Sequence, residues 1–271
     1  MFIGQCGMQK SGNYLLYRIL REILQQLGSW SSYSGKTHCW DSLFQFNDDI
    51  PLMFPEQRDI DEVYIKDGSI FLHNSYLIAY FAIRHIEEFK YTSRLIWTHQ
   101  VPMPEHHEML GGERRWFYIL RDGRDVVNSW VHYVVSPHVR QRKPQYKISR
   151  VEDLYQRYDI FEKTVKRWAS HVQAYLKLRN YYLEIRYENL VKDKALEIKR
   201  IADYLGISIP DIDAIIRKTS VQATRLHAPL HVRRARVGDW RTYFTPRHKK
   251  IFKEIAGSLL KELGYTEDDN W

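Results

Sequence analysis

Gly7-Met8-Gln9-Lys10-Ser11-Gly12-Asn13-Tyr14 decides the fold, because it joins an apolar run, residues 1–7, to an amphipathic stretch from Tyr14 to Leu27. A strand that feeds a glycine-bearing turn and then a helix N-terminus collects unpaired backbone N–H groups at the positive end of a helix dipole. Such a corner binds anions. Lys10 adds a mobile cation and Ser11 a hydroxyl, a combination suited to a phosphate or sulfate ester. A Walker loop reads G-x-x-x-x-G-K-[ST], whereas here the lysine precedes the glycine, so an ordinary P-loop NTPase is disfavoured. Taken alone, the segment also fits a plain strand-to-helix connection carrying a solvated lysine.

A second segment has the same logic. Arg115-Trp116-Phe117-Tyr118-Ile119-Leu120 predicts a buried strand that runs into Arg121-Asp122-Gly123-Arg124-Asp125-Val126-Val127-Asn128-Ser129. Arg121 ends that strand, Asp122 is placed to cap the next helix, and Ser129 follows about two helical turns inside it. A strand-end arginine and a helix serine can converge on one anion from two sides. By itself the pair reads more readily as a surface arginine and a buried serine bonded to its own helix.

Two further motifs complete an ordered set: Ile185-Arg186-Tyr187-Glu188-Asn189-Leu190-Val191, and Arg233-Arg234-Ala235-Arg236-Val237-Gly238-Asp239-Trp240. The four together, spread over nearly the whole chain, resemble the sulfotransferases that use 3′-phosphoadenosine-5′-phosphosulfate (PAPS), most nearly the cytosolic small-molecule type. The resemblance implies a mainly parallel α/β fold with a 5′-phosphosulfate loop after the first strand. It implies the transfer of a sulfuryl group to a hydroxyl or amine of a small-molecule acceptor, with adenosine 3′,5′-bisphosphate as product and no metal required.

Residue by residue, the resemblance assigns Lys10 to the leaving phosphate oxygen and Ser11, Gly12 and Asn13 to the 5′-phosphosulfate. Arg121 and Ser129 match the 3′-phosphate residues, and Arg233 and Arg234, with Ala235 beside them, match the basic C-terminal loop. Tyr187 and Thr219 match nucleotide contacts, Tyr187 at the adenine. The family's adenine-stacking tryptophan is replaced by Leu15, with Tyr14 before it as the candidate stack, and its aromatic two residues past Thr219 is Val221. For Trp240 an anchoring role in the loop is the expectation. His99, in Trp97-Thr98-His99-Gln100-Val101-Pro102, resembles the histidine that activates the acceptor, and a neutral imidazole is available to take a proton near pH 7. Where the family often has a lysine touching the sulfuryl group, this chain has Trp97, so charge stabilisation falls more heavily on Lys10. The family's dimer element is altered at Pro246 and Lys250, which leaves the oligomeric state open.

Composition fits a compact enzyme of one domain, residues 1–271: 44% of residues are apolar, and no Gly/Ser/Pro-rich linker interrupts the chain. The 41 basic against 33 acidic residues give a net charge of +8, compatible with nucleic acid, an anionic membrane or a polyanionic cosubstrate. The arginines inside the motifs favour the last, so neither nucleic acid nor a membrane is expected as a partner. Two cysteines are too few for a disulfide framework or zinc site, which makes the cytoplasm the default. His106-His107 lacks the accompanying ligands of a metal site.

Alternating patterns predict strands at 69–73, 94–99, 115–120 and 182–186, and helices at 76–89, 122–134, 151–179 with breaks, 195–205, 211–218 and 246–263. Segments 28–60 and 131–150 are expected to shape the acceptor pocket. Trp30, Tyr33, Trp40, Phe44, Phe46, Met53 and Phe54 offer an apolar wall or simply core, and Asp48 and Asp49 offer attraction for a cationic acceptor. Two rivals stay open: a P-loop-like small-molecule kinase using Mg-ATP, and a non-catalytic nucleotide-binding module.

Overall fold

A computed structural model describes residues 1–45, 55–74, 77–111, 113–142, 148–229 and 231–271. Its centre is a seven-stranded sheet. The strands are β1 (Ile3–Cys6), β2 (Asp61–Lys66), β3 (Ser69–Asn74), β4 (Ala79–Ala82), β5 (Leu95–Thr98), β6 (Arg115–Leu120) and β7 (Tyr182–Arg186), in the order β4-β3-β2-β5-β1-β6-β7. β2, β5, β1, β6 and β7 are mutually parallel, while β3 and β4 extend the sheet antiparallel at one edge. Every residue of β1 and β5 is buried, as expected of parallel strands covered on both faces.

Side-chain alternation assigns the helices to their faces. Gln5 shares a rung with Trp97, and the Trp97 ring packs 5.5 Å from Tyr17 of the helix Asn13–Gln26. The next rung pairs Cys6 with Tyr118, whose side chain points to the opposite face. There Tyr118 stacks at 3.8 Å on Tyr175 and bonds His171 at 2.9 Å, both on the helix Tyr158–Lys177. Trp168 and Val172 of that helix are buried together, and the helices Gly123–Val134 and Pro246–Glu262 pack against it. The long pattern from Val151 breaks at Arg157, which separates Val151–Gln156 from Tyr158–Lys177.

One expectation is corrected. Residues 76–89 do not form one helix: Ala79–Ala82 is the edge strand β4, and a helix begins only at Ile86. Backbone pairing of 79–82 with 71–74, continued by Ile83 N–H donating to Ile70 O at 3.0 Å, overrides the apolar spacing. Strand β2 was not anticipated, yet Asp67-Gly68 between β2 and β3 has φ of 49° and 69°, the geometry of a two-residue hairpin turn.

Gly4 lies at the sheet centre, where an added Cβ would sit 2.5 Å from the Trp116 indole. Gly4→Ala is expected to destabilise the protein by about 1–3 kcal/mol through overpacking. Thermal unfolding should show a Tm several degrees lower; an unchanged Tm would mean that Trp116 has room to move.

Candidate active site

The C-terminal ends of the parallel strands open into a cavity of about 600 Å³. Such a crevice is where open α/β sheets bind ligands. β1 ends at the loop Gly7–Gly12, β5 at His99, β6 at Arg121 and β7 at Tyr187, so neighbouring strands deliver the Lys10 loop, His99, Arg121 and Tyr187 to one place.

The first loop is held from below. Asn13 turns its side chain back, donating Nδ2–H to Met8 O at 2.7 Å and Gly7 O at 3.3 Å, while Gln5 Nε2 donates to Asn13 O at 2.7 Å. Lys10 adopts φ 76° and Gly12 φ 104°, both in the left-handed region. A Cβ on Gly12 would lie 2.5 Å from the Tyr187 ring, so the position needs glycine for its conformation and for close approach. Lys10 Nζ sits 4.1 Å from the Tyr133 ring centroid. Burial, then repulsion from Arg121 and Arg233, pushes the Lys10 ammonium down to about 8. A cation held in that state favours an anionic ligand.

Arg121 joins three elements. Its guanidinium lies 4.2 Å from the Tyr187 ring centroid, and donates from Nη1 to Lys10 O at 3.1 Å and from Nη2 to Arg236 O at 3.0 Å. Its Nε is buried without a protein partner among the described residues. Ser129 lines the same cavity from the helix Gly123–Val134, which Asp122 caps by accepting from Arg124 N–H at 2.9 Å. The C-terminal loop is tied down by Asp125, which accepts from Gly238 N–H at 2.6 Å and Trp240 N–H at 3.1 Å. Burial raises the Asp125 carboxyl above the usual range. Arg233 and Arg234 line the cavity and are both paired with Asp239, while Trp240 is buried as the loop's anchor.

His99 lines the same cavity as these cations. Its Nδ1–H donates to Gly7 O at 2.9 Å, a bond that leaves Nε2 as the acceptor nitrogen of the neutral ring. Burial lowers the His99 pKa, with Glu62 and the bond to Gly7 opposing. Trp97 packs edge-on at 5.1 Å.

The structure brings Lys10, Gly12, Asn13, Tyr14, Arg121, Ser129, Tyr187, Thr219, Arg233, Arg234 and Ala235 together with His99 around this cavity. Ser11 lies in the loop but is buried, its N–H donating to Met8 O at 3.1 Å, and it does not line the cavity. Tyr14 is 2% exposed and donates its hydroxyl to Glu56 at 2.8 Å, with His231 edge-on at 4.5 Å, so its ring is already packed. Thr219 donates Oγ1–H to Ile215 O at 2.7 Å. Of the proposed acceptor wall, Tyr33 and Trp40 are core, Trp30 packs on Tyr17, and none of the three lines the cavity. Phe46, Asp48, Asp49, Met53 and Phe54, and the side chain of Phe44, lie outside the described residues.

Several residues that line the cavity are not singled out individually by the sequence. His132, Tyr133 and Ser136 line the cavity from within 131–150, the segment expected to shape the acceptor pocket, and follow Ser129 at i+3, i+4 and i+7. Glu62 and His73 sit on the hairpin that Asp67-Gly68 signals. Lys194 carried no signal: it donates to Thr219 O at 2.6 Å and is pushed down to about 8 by burial, yet reads as a solvated helix start.

Among the described residues no helix is long and apolar enough to cross a membrane, and no cluster of three or more His, Cys, Asp or Glu could hold a metal. The Sulfotransferase domain family profile matches residues 5–264, and the chain belongs to that family. Curated relatives include Sulfotransferase 1A1 of Bos taurus, 23% identical over 62% of this chain and 64% of its own length, and Sulfotransferase 2A1 of Rattus norvegicus, 25% identical over 60% and 62%. The aligned part therefore spans somewhat less than two thirds of these relatives. Among solved structures, mouse sulfotransferase SULT7A1 complexed with PAP is 20% identical, covering 96% of this chain and 84% of its own, with a TM-score of 0.59. Retinol dehydratase in complex with androsterone and inactive cofactor PAP gives 18%, 96%, 80% and 0.58.

Gly12→Ala tests the loop geometry. The backbone strain and the clash with Tyr187 are expected to cost roughly 1–3 kcal/mol. Thermal unfolding should register that loss, whereas Gly111→Ala, also at positive φ but with nothing within 4 Å of its Cβ, should lose less. Equal losses would show that the Tyr187 contact is unimportant.

Proposed function

We propose that this chain is a PAPS-dependent sulfotransferase, one domain over residues 1–271, that moves a sulfuryl group to a hydroxyl or amine of a small-molecule acceptor. The observation that carries this reading is the meeting of Lys10 and Arg121 with the acceptor nitrogen of His99 around one cavity. The family match, and the PAP named in both related structures, support the donor; the androsterone in one of them supports a small-molecule acceptor. Two unbridged cysteines fit a cytoplasmic setting.

The residues fit the donor. The orphaned Arg121 Nε, Ser129 and the Arg233-Arg234 pair provide for a 3′-phosphate, and Gly12, Asn13 and the helix start behind them provide for the 5′ end. Tyr187, Thr219 and Lys194 form the base end of the site. PAPS supplies the sulfuryl group and a phosphate leaving group. His99 Nε2 takes the acceptor's proton as the acceptor oxygen bonds to sulfur, and Lys10 neutralises the charge growing on the bridging oxygen as the sulfur–oxygen bond to phosphate breaks. Adenosine 3′,5′-bisphosphate leaves. A kinase using Mg-ATP would need an acidic ligand for the ion near the phosphates; among the described residues Glu62 is the one acidic side chain lining the cavity, and it stands beside Trp97 and His99.

Adenosine 3′,5′-bisphosphate at about 100 times its Kd should stabilise the protein by roughly 2.7 kcal/mol. Thermal unfolding should therefore show a Tm several degrees higher, undiminished by EDTA. No shift with this nucleotide, alongside one with Mg-ATP, would favour the kinase.

His99→Ala is expected to reduce transfer about 10²–10⁴-fold while sparing bisphosphate affinity, and Lys10→Ala to impair both. Because the base must be neutral and its pKa is lowered, the acid limb of kcat/KM for the unmodified enzyme should fall with a midpoint below 6.5. Bisphosphate affinity should decline as pH rises through about 8, where free Lys10 loses its proton. Near-normal transfer by His99→Ala on a hydroxyl acceptor would move the base elsewhere.

A further inference from the structure

The cavity separates its charges. Lys10, Arg121, Arg233, Arg234, Arg236 and Lys194 line it together with the nucleotide motifs, and among the described residues Glu62 is the one acidic side chain that lines it. Glu62 is 7% exposed and projects from β2, where it is the rung partner of Trp97 on β5. Rung partners in a parallel pair share a face, and the Trp97 ring lies 5.1 Å from that of His99. Glu62 is close enough to His99 to oppose the lowering of its pKa. Its Oε1 lies 3.2 Å from His73 Nδ1 on β3. The carboxylate thus belongs to the acceptor side, in a wall that includes Ile60 and the Trp97 ring.

On the sulfotransferase reading above, the cations at the nucleotide end meet the anions of the donor. A cation brought by the acceptor meets Glu62. A buried carboxylate favours a charged donor of hydrogen bonds, and an aromatic wall adds cation–π attraction. We propose that the acceptor carries both a hydroxyl and an ammonium group on an apolar skeleton, the hydroxyl directed to His99 and the ammonium to Glu62. A protonated amine has no lone pair with which to attack sulfur, so the hydroxyl is the group sulfated. The acceptor proton passes to His99 Nε2, the new oxygen–sulfur bond forms as the donor's bond to phosphate breaks, and the ammonium stays intact.

Tyramine and 4-ethylphenol are matched probes that differ in the ammonium group. Calorimetry with each, on protein saturated with adenosine 3′,5′-bisphosphate, is expected to show tyramine binding at least about tenfold more tightly. In Glu62→Gln the ratio should fall to near one, and kcat/KM measured with PAPS should follow the same pattern. A ratio near one in the unmodified protein overturns the proposal, and that measurement stands even if the variant fails to fold. So does an unchanged tyramine preference in folded Glu62→Gln. Equal weakening of both probes with a lowered acid limb would also overturn it, because Glu62 would then act only by tuning His99, which Arg167, His73 and His171 also influence. Absence of bisphosphate binding would instead mark failure of the sulfotransferase reading.

Discussion

Everything in the site depends on the register of β1 between β5 and β6. Cys6 pairs with Thr98 on one side and Tyr118 on the other, and all three are buried. One residue further on, the Gly7 carbonyl meets the His99 imidazole, and Gly7 stands so close to Ile119 that a Cβ would lie 2.5 Å from its side chain. A slip of one residue would turn every side chain of β1 to the other face and move the Lys10 loop away from both His99 and Arg121. The ladder is held by burial of its strands on both faces, so the most hydrophobic part of the molecule fixes the positions of its most polar groups.

Arg121 extends that order from the sheet to the loops. Its hydrogen bonds to the carbonyls of Lys10 and Arg236 and its contact with Tyr187 join segments far apart in sequence at one guanidinium. Buried Asp125 and Asp239 supply the opposite charge, the first through backbone N–H groups of the C-terminal loop and the second through Arg233 and Arg234. Excess positive charge is thereby kept at the cavity without mutual repulsion pulling the loop away. His99 occupies a different setting, desolvated beside Trp97, and burial lowers its pKa. Lys10 and His99 share one cavity because they follow adjacent strands.

Legibility varied with how local the cause was. The Lys10 loop, the cap at Asp122 and the helix face carrying Ser129 follow from neighbouring residues, and the structure agrees with each. The pattern at 76–89 misled because Leu77, Phe81 and Phe89 have helix-compatible spacing, while the strand at Ala79–Ala82 is imposed by β3. Asp67-Gly68 would have exposed β2 and, with it, Glu62 and His73. Lys194 was invisible for another reason: the carbonyl of Thr219 that receives its ammonium is distant in sequence, and nothing in Lys192-Asp193-Lys194 marks that meeting.

Local residues dictate most of the alternating elements and the strand-to-helix corners at Lys10 and Arg121, because each rests on backbone geometry or spacing within a few residues. Tertiary structure decided which groups meet: the Gly7 carbonyl that selects the His99 tautomer, the ring of Tyr187 against Gly12 and Arg121, and the buried carboxylate of Glu62 beside Trp97. Those contacts arise from strand pairing across long separations, and a parallel sheet brings strand ends together only after the intervening chain has crossed back over its face.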